Sequence, residues 1–202
     1  MIINIRGTSG SGKTHTARSF MNAYQPEAIV YMADGKVAAH CVYYKMMPVY
    51  VIGSYKNVCG GCDSIPTQDL ACSLVRHFSQ FGHVIFEGLL MSHSLNRYAE
   101  LWKELTGIGI PFVFAYMSTP LDICLERVQQ RRLAKGNTKE LNPHNTTNTF
   151  NGTWQTKDRY EADGIDTCII DHKKDPVKQI RKLLARDPDL RFEHSYREES
   201  FR

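Results

Sequence analysis

No stretch of this 202-residue chain holds the roughly 20 consecutive apolar residues that cross a bilayer, which sets aside a helical membrane protein. The first strand-like run begins at Ile2, leaving no room for a charged n-region, an apolar h-region and a cleavage site, so no secretory signal is expected at this end. Cysteine is sparse. Cys41, Cys59, Cys62, Cys72, Cys124 and Cys168 are scattered along the chain and read as free thiols of a reducing, cytoplasmic compartment. Cys59-x-x-Cys62 has a zinc or redox spacing but lacks a second close Cys or His pair; His40, Cys41 and His77 would have to converge one by one, so a structural metal is not expected. Nor is one sign of charge in large excess: 25 Lys and Arg against 21 Asp and Glu give +4, a balance that suits anionic ligands without demanding nucleic acid. An N-K-x-D base-reading motif and a D-x-x-G loop are also missing, which disfavours a GTPase-type switch.

What is present begins at once. Gly7-Thr8-Ser9-Gly10-Ser11-Gly12-Lys13-Thr14 reads G-x-x-x-x-G-K-[ST] without a gap, between an apolar strand at Ile2–Ile5 and a helix running on from Thr14 to Tyr24. In that context the spacing predicts a phosphate-binding loop rather than an ordinary glycine turn. Gly7, Gly10 and Gly12 let the backbone N–H groups, with those of Ser9 and Ser11, turn inward on an anion at a helix N-terminus. Lys13 is expected to reach the β- and γ-phosphates of ATP, Thr14 to ligate Mg²⁺, and His15 to adjoin the same nucleotide site.

Ala28–Met32 reads as a second strand, closed by Asp34-Gly35. Val37–Tyr44 and Pro48–Tyr55 then read as a hairpin inserted where the phosphoryl acceptor is held, within an approximate acceptor-site insertion 33–64. A loop from Gly53 to Asp63 carries Tyr55, the pair Gly60-Gly61 and the Asp63 carboxylate; Ser64 or Thr67 caps the helix that follows. His83–Phe86 is a third buried strand ending in Glu87, and a carboxylate at that position lies in the crevice where it can meet a metal-bound water or an attacking hydroxyl. Pro111–Met117 and Asp166–Asp171 complete five strands, with helices at Ser92–Leu105, from Ser118-Thr119-Pro120 through Arg132, at Gly152–Ala162 and at Pro176–Arg186. Arg127 and Arg131 share a helical face with Arg132 close by, and lead into an aperiodic polar stretch, residues 133–151, that reads as a mobile lid. Lys157 and Arg159 are further phosphate candidates, and the tail 187–202 has no assignment. The expected whole is one α/β domain, residues 1–202, with a five-stranded, mostly parallel sheet flanked by helices.

The phosphate loop, the strand ending Phe86-Glu87-Gly88 and the helix from Leu125-Glu126-Arg127 to Arg131-Arg132 resemble the nucleoside and nucleotide kinase group of P-loop proteins. More narrowly, Val51-Ile52-Gly53-Ser54-Tyr55 followed by Gly60-Gly61-Cys62-Asp63 resembles bacteriophage-encoded kinases that phosphorylate the hydroxymethyl group of 5-hydroxymethyluracil within DNA. The resemblance implies ATP and Mg²⁺ at Lys13 and Thr14, with Glu87 as a second metal contact, and a charge clamp of Arg127, Arg131 and Arg132. Asp34, Asp63 and Glu87 all remain open as the base. Asp34, Tyr55, Gly60, Gly61 and Asp63 are the expected acceptor contacts, and Tyr55, Tyr43 or Tyr44 could stack on an extruded base. A small-molecule kinase of a free nucleoside, nucleotide or sugar, and a non-catalytic nucleotide-binding module, remain as alternatives.

Overall fold

The structure, a computed structural model, describes residues 1–57 and 60–186. Cys59 of the C-x-x-C pair and the tail 187–202 lie outside the described residues; Cys41, Cys62, Cys72, Cys124 and Cys168 are free thiols. Among the described residues seven strands, not the five expected, form one sheet: β1 Ile2–Arg6, β2 Ala28–Tyr31, β3 Val37–Tyr44, β4 Met47–Ile52, β5 His83–Glu87, β6 Phe112–Met117 and β7 Thr167–Ile170, in spatial order β2-β3-β4-β5-β1-β6-β7. The helices are α1 Lys13–Tyr24, α2 Gln68–Phe78, α3 Asn96–Gly107, α4 Leu121–Ala134, α5 His144–Ala162 and α6 Pro176–Leu184. Among the described residues, no helix is long and apolar enough to cross a membrane.

The central strands are apolar on both faces, so they need cover on both. One core unites Ile2, Phe86, Phe112 and Phe114 with α2, α3 and Tyr160 of α5. The other unites Ile3, Ile5, Ile85 and Val113 with Phe20 of α1 and Leu183 of α6. The parallel set is β4-β5-β1-β6-β7, which aligns all five carboxyl ends along one edge.

Three further expectations are corrected here. The hairpin is not an insertion beside the sheet: β4 pairs in parallel with β5 through Val49↔His83, Tyr50↔Val84 and Val51↔Ile85, and so supplies an inner strand. Ala28–Tyr31, read only as a second strand, lies instead at the outer edge, antiparallel to β3. Burial explains the exchange, since Pro48, Val49, Val51 and Ile52 are covered, whereas Ile29 and Tyr31 are 40% and 55% exposed. The stretch 133–151, expected as a mobile lid, is largely helical. α5 begins inside it at His144, leaving 135–143 as the loop. Its polar first turns are held by side-chain bonds: His144 N–H donates to Asn142 Oδ1 at 3.0 Å, and the Thr149 hydroxyl donates to the Asn145 carbonyl at 2.9 Å. Finally, Thr119 does not cap α4; its hydroxyl donates 2.6 Å to the Ser11 carbonyl and braces the phosphate loop.

Candidate active site

The loop from Gly7 to Thr14 leaves β1 at its carboxyl end and turns straight into α1. Gly12, with φ 100°, opens that helix without any side-chain cap, so its first N–H groups are free to face an anion. Close packing demands the glycine at position 10. A Cβ there would lie 2.3 Å from the Cys124 carbonyl oxygen, which fixes how deeply the loop sits against α4.

A cleft of about 800 Å³ lies along this edge, lined by Thr8–Thr14, His15, Arg18, Asp63, Glu87, Leu89, Arg127 and Arg131, with the 171–176 segment at its other end. Lys13 is 7% exposed and its ammonium donates to the carbonyls of Gly7 and Thr8 at 2.7 and 3.1 Å. Burial pulls its pKa below the usual lysine range, with Glu87 and Asp63 opposing. The Thr14 hydroxyl donates 2.9 Å to Glu87 Oε1. Burial pushes the Glu87 carboxyl up to about 7; Lys13 and the Thr14 bond pull the other way, and the Asp63 carboxylate adds to the rise. Asp63 sits in a short 3-10 turn, Cys62–Ser64, and its Oδ1 accepts the Leu89 N–H at 2.8 Å. Gly61 permits this arrangement: at φ 67°, a Cβ on it would lie 2.7 Å from Glu87 Oε1.

Opposite, Arg127 donates 3.2 Å to the Gly10 carbonyl, and Arg131 lines the cleft one turn further along α4. A hydroxyl and a carboxylate 2.9 Å apart beside a phosphate cradle fit Mg²⁺, a cation that takes one or two protein oxygens and completes its shell with phosphates and water. A dedicated all-protein cage is not required: among the described residues, no group of three or more His, Cys, Asp or Glu could hold a metal by itself.

Other expected residues lie elsewhere. Asp34 is in the β2–β3 turn, paired with Lys36 at 2.8 Å, and four strand spacings of about 4.8 Å separate β2 from β1. Arg132 points away from the cleft and donates to the Lys139 carbonyl at 3.4 Å, holding the 135–143 loop. Tyr55 is buried, its ring edge-on to His40 and its carbonyl held by Arg18 at 2.6 Å. Tyr44 packs against Phe20 and Tyr24, and Tyr43 faces Pro48 near the hairpin turn. None of the three tyrosines lines the cleft. Gly60 packs on the Ser54 carbonyl, and Gly7 forms the floor of the loop, its N–H donating to Ser92 Oγ at 3.2 Å.

The cleft and the layer beneath it also contain residues that sequence reasoning passed over. Arg18, four residues after Thr14 on the same helical face, holds the carbonyls of Tyr55 and Asn57, and its spacing was the available signal. Ser92 bridges the Gly7 N–H and the Gly88 carbonyl, the latter at 2.8 Å. Asp171, His172 and Lys174 line the end beyond Arg131 but follow β7 as an ordinary polar turn, which leaves no motif.

A phosphate loop after the first strand of a parallel sheet, a carboxylate on the neighbouring strand and arginines from the facing helix define a P-loop phosphotransferase. The chain belongs to the 5-hmdU DNA kinase family, whose family model matches residues 1–162. It is similar to the 5-hmdU DNA kinase of Pseudomonas phage PaMx11, with 37% identity over 190 residues, covering 91% of this chain and 96% of the relative. It is also similar to that of Pseudomonas phage M6, at 28% over 202 residues, covering 90% and 96%. A solved deoxyadenosine kinase from M. mycoides with bound dCTP matches at TM-score 0.46 and 9% identity, over 92% of this chain and 100% of that one.

Proposed function

We propose that this protein, acting in the cytoplasm of a phage-infected host, transfers the γ-phosphoryl group of ATP to the hydroxymethyl group of 5-hydroxymethyluracil in DNA. The acceptor follows from family membership. The division of labour rests on one observation: Glu87 is committed to Thr14 at 2.9 Å, on the phosphate side, while Asp63 is oriented by the Leu89 N–H and opens on the same cleft.

Thr14 and Glu87 would hold Mg²⁺, which supplies charge neutralisation at the phosphates. Lys13 exchanges its bonds to Gly7 and Thr8 for phosphate oxygens. Asp63 accepts the proton of the hydroxymethyl group as that oxygen forms its bond to the γ-phosphorus and the bond to the β-phosphate oxygen breaks. Arg127 and Arg131, from the facing helix, offset the charge on the transferring group. The base must leave the stack to reach Asp63, since the carboxylate lies inside a cleft.

The test is transfer of label from γ-labelled ATP, with Mg²⁺, to duplex DNA containing 5-hydroxymethyluracil, to plain thymine DNA and to free nucleosides and nucleotides. Label on the modified DNA alone supports the proposal. Label only on free small molecules overturns it in favour of a metabolite kinase, and ATP bound without any transfer would point to a nucleotide-binding module.

A further inference from the structure

A second hollow, of about 400 Å³, lies between α5 and the turn that follows Glu87, lined by His93, Leu95, Asn148, Gly152, Gln155 and Arg159 among others. One short segment of chain runs from the catalytic cleft to this hollow. Leu89, at the near end of that segment, lines the cleft and donates its N–H to Asp63. Residues Leu90–His93 then form a 3-10 turn, which at about 2 Å per residue puts His93 on the order of 8 Å further on. The opposite wall is tied to the cleft as well, because the Thr8 hydroxyl of the phosphate loop donates 3.0 Å to the Thr146 carbonyl in the first turn of α5.

The hollow is a built feature. Fully buried Arg6 donates 3.2 Å to the Ser94 carbonyl, and the Tyr160 hydroxyl donates 2.7 Å to the Leu95 carbonyl, fixing the turn against α5. Its lining carries recognition chemistry that the fold does not consume. Among the described residues, the Gln155 amide and the His93 imidazole have no hydrogen-bond partner, and Arg159 has an exposed pairing with Asp163, of the kind worth little to stability. Gly152 is the second sign. Glycine in mid-helix is unfavourable relative to alanine, and nothing here requires it: a Cβ would meet His93 Cβ at 3.4 Å, an ordinary contact. Its absent side chain leaves the floor of the hollow open.

We propose that this hollow receives the nucleotide adjacent to the target base on the same DNA strand. The inference rests on the DNA-kinase reading and gives it a second contact point. Gln155 and His93 meet the base edge, Leu95 its face, and Arg159 the phosphate, the division expected of a site that positions through the backbone and discriminates through base edges. The volume is that of a small-molecule pocket, and the hollow is joined to the cleft by the short segment from Leu89 to His93.

The test is binding of a fluorescein-labelled single-stranded oligonucleotide carrying one central 5-hydroxymethyluracil, at fixed salt, to the wild type and to the Gly152→Leu and Arg159→Ala variants. A matched set has an abasic position on one side of the target or the other. The expected result is a Kd raised about tenfold by Gly152→Leu, with ATP affinity unchanged and Tm equal or higher, since leucine is the better helix former. Arg159→Ala should weaken binding and lower the salt slope by about one. One of the two abasic oligonucleotides should bind the wild type as weakly as the variant binds the intact one, and the variant should no longer tell them apart. Equal Kd for all three proteins, or equal losses on both abasic oligonucleotides, would overturn the inference. An oligonucleotide bound as expected yet never phosphorylated would instead count against the DNA-kinase reading.

Discussion

The two halves of the cleft are built in opposite ways. On the donor side, the phosphate loop is eight consecutive residues, and its braces are aimed at its own backbone: Lys13 on the Gly7 and Thr8 carbonyls, Arg127 on Gly10, Thr119 on Ser11. On the proposed acceptor side, Arg18, Asp63 and Leu89 come from three separate segments and meet only when the sheet has formed. A cradle for a fixed ligand group, phosphate, can be written in one local stretch. A pocket that must place a hydroxyl against a carboxylate has to be assembled from distant parts, and its geometry depends on the fold.

That contrast can be broken from either side. Lys13→Ala should have the largest effect, a loss of about 10³-fold in kcat/KM on the modified DNA together with weakened ATP binding, as measured by steady-state transfer and nucleotide titration. Asp63→Asn should be milder and one-sided. Losing the proton acceptor should cost about 10²-fold in kcat while the KM for ATP stays near wild type. An Asp63→Asn variant that lost ATP affinity as strongly as Lys13→Ala would show that the two halves are not separable.

The third effect, on stability and not on turnover, sharpens the boundary between them. Glu87 stands on that boundary with its pKa raised from 4.5 to about 7, so the folded chain keeps a proton that the unfolded chain has already released across that interval. Without ligand, stability should therefore fall as pH rises from about 4.5 to 7, by about 3 kcal/mol, and level off above. Urea titrations across this range should show the fall in the wild type and its removal in Glu87→Gln. An equal slope in both would place the carboxylate in a wetter setting than its burial indicates.

Legibility followed the same division. The phosphate loop, the strand ending at Glu87 and the arginine-bearing helix could be read because each is a local pattern with a local cause. Strand partnership could not. Ala28–Tyr31 and Met47–Ile52 both read as strands, and only pairing to β5 decides which lies inside. Asp34 looked equivalent to Asp63 because both follow strands, but β2 is the far edge of the sheet. The first half of α5 was hidden because its early turns are Asn- and Thr-rich, held by side-chain bonds and by Thr8 rather than by an apolar stripe; only Gly152–Ala162 read as helix. The 171–176 segment is positioned after β7 by bonds to Ser118 and Gln179, and its composition is that of any turn.

Gly61 carries a consequence for anyone redesigning the acceptor. The clearance between its Cα and the Glu87 carboxylate is smaller than a methyl group. A library that varies the loop around Asp63 in search of new substrates can change shape and polarity freely at its rim. At this one position, though, any side chain acts as a wedge, driving Glu87 off Thr14 and spoiling the donor half while only the acceptor half was meant to change.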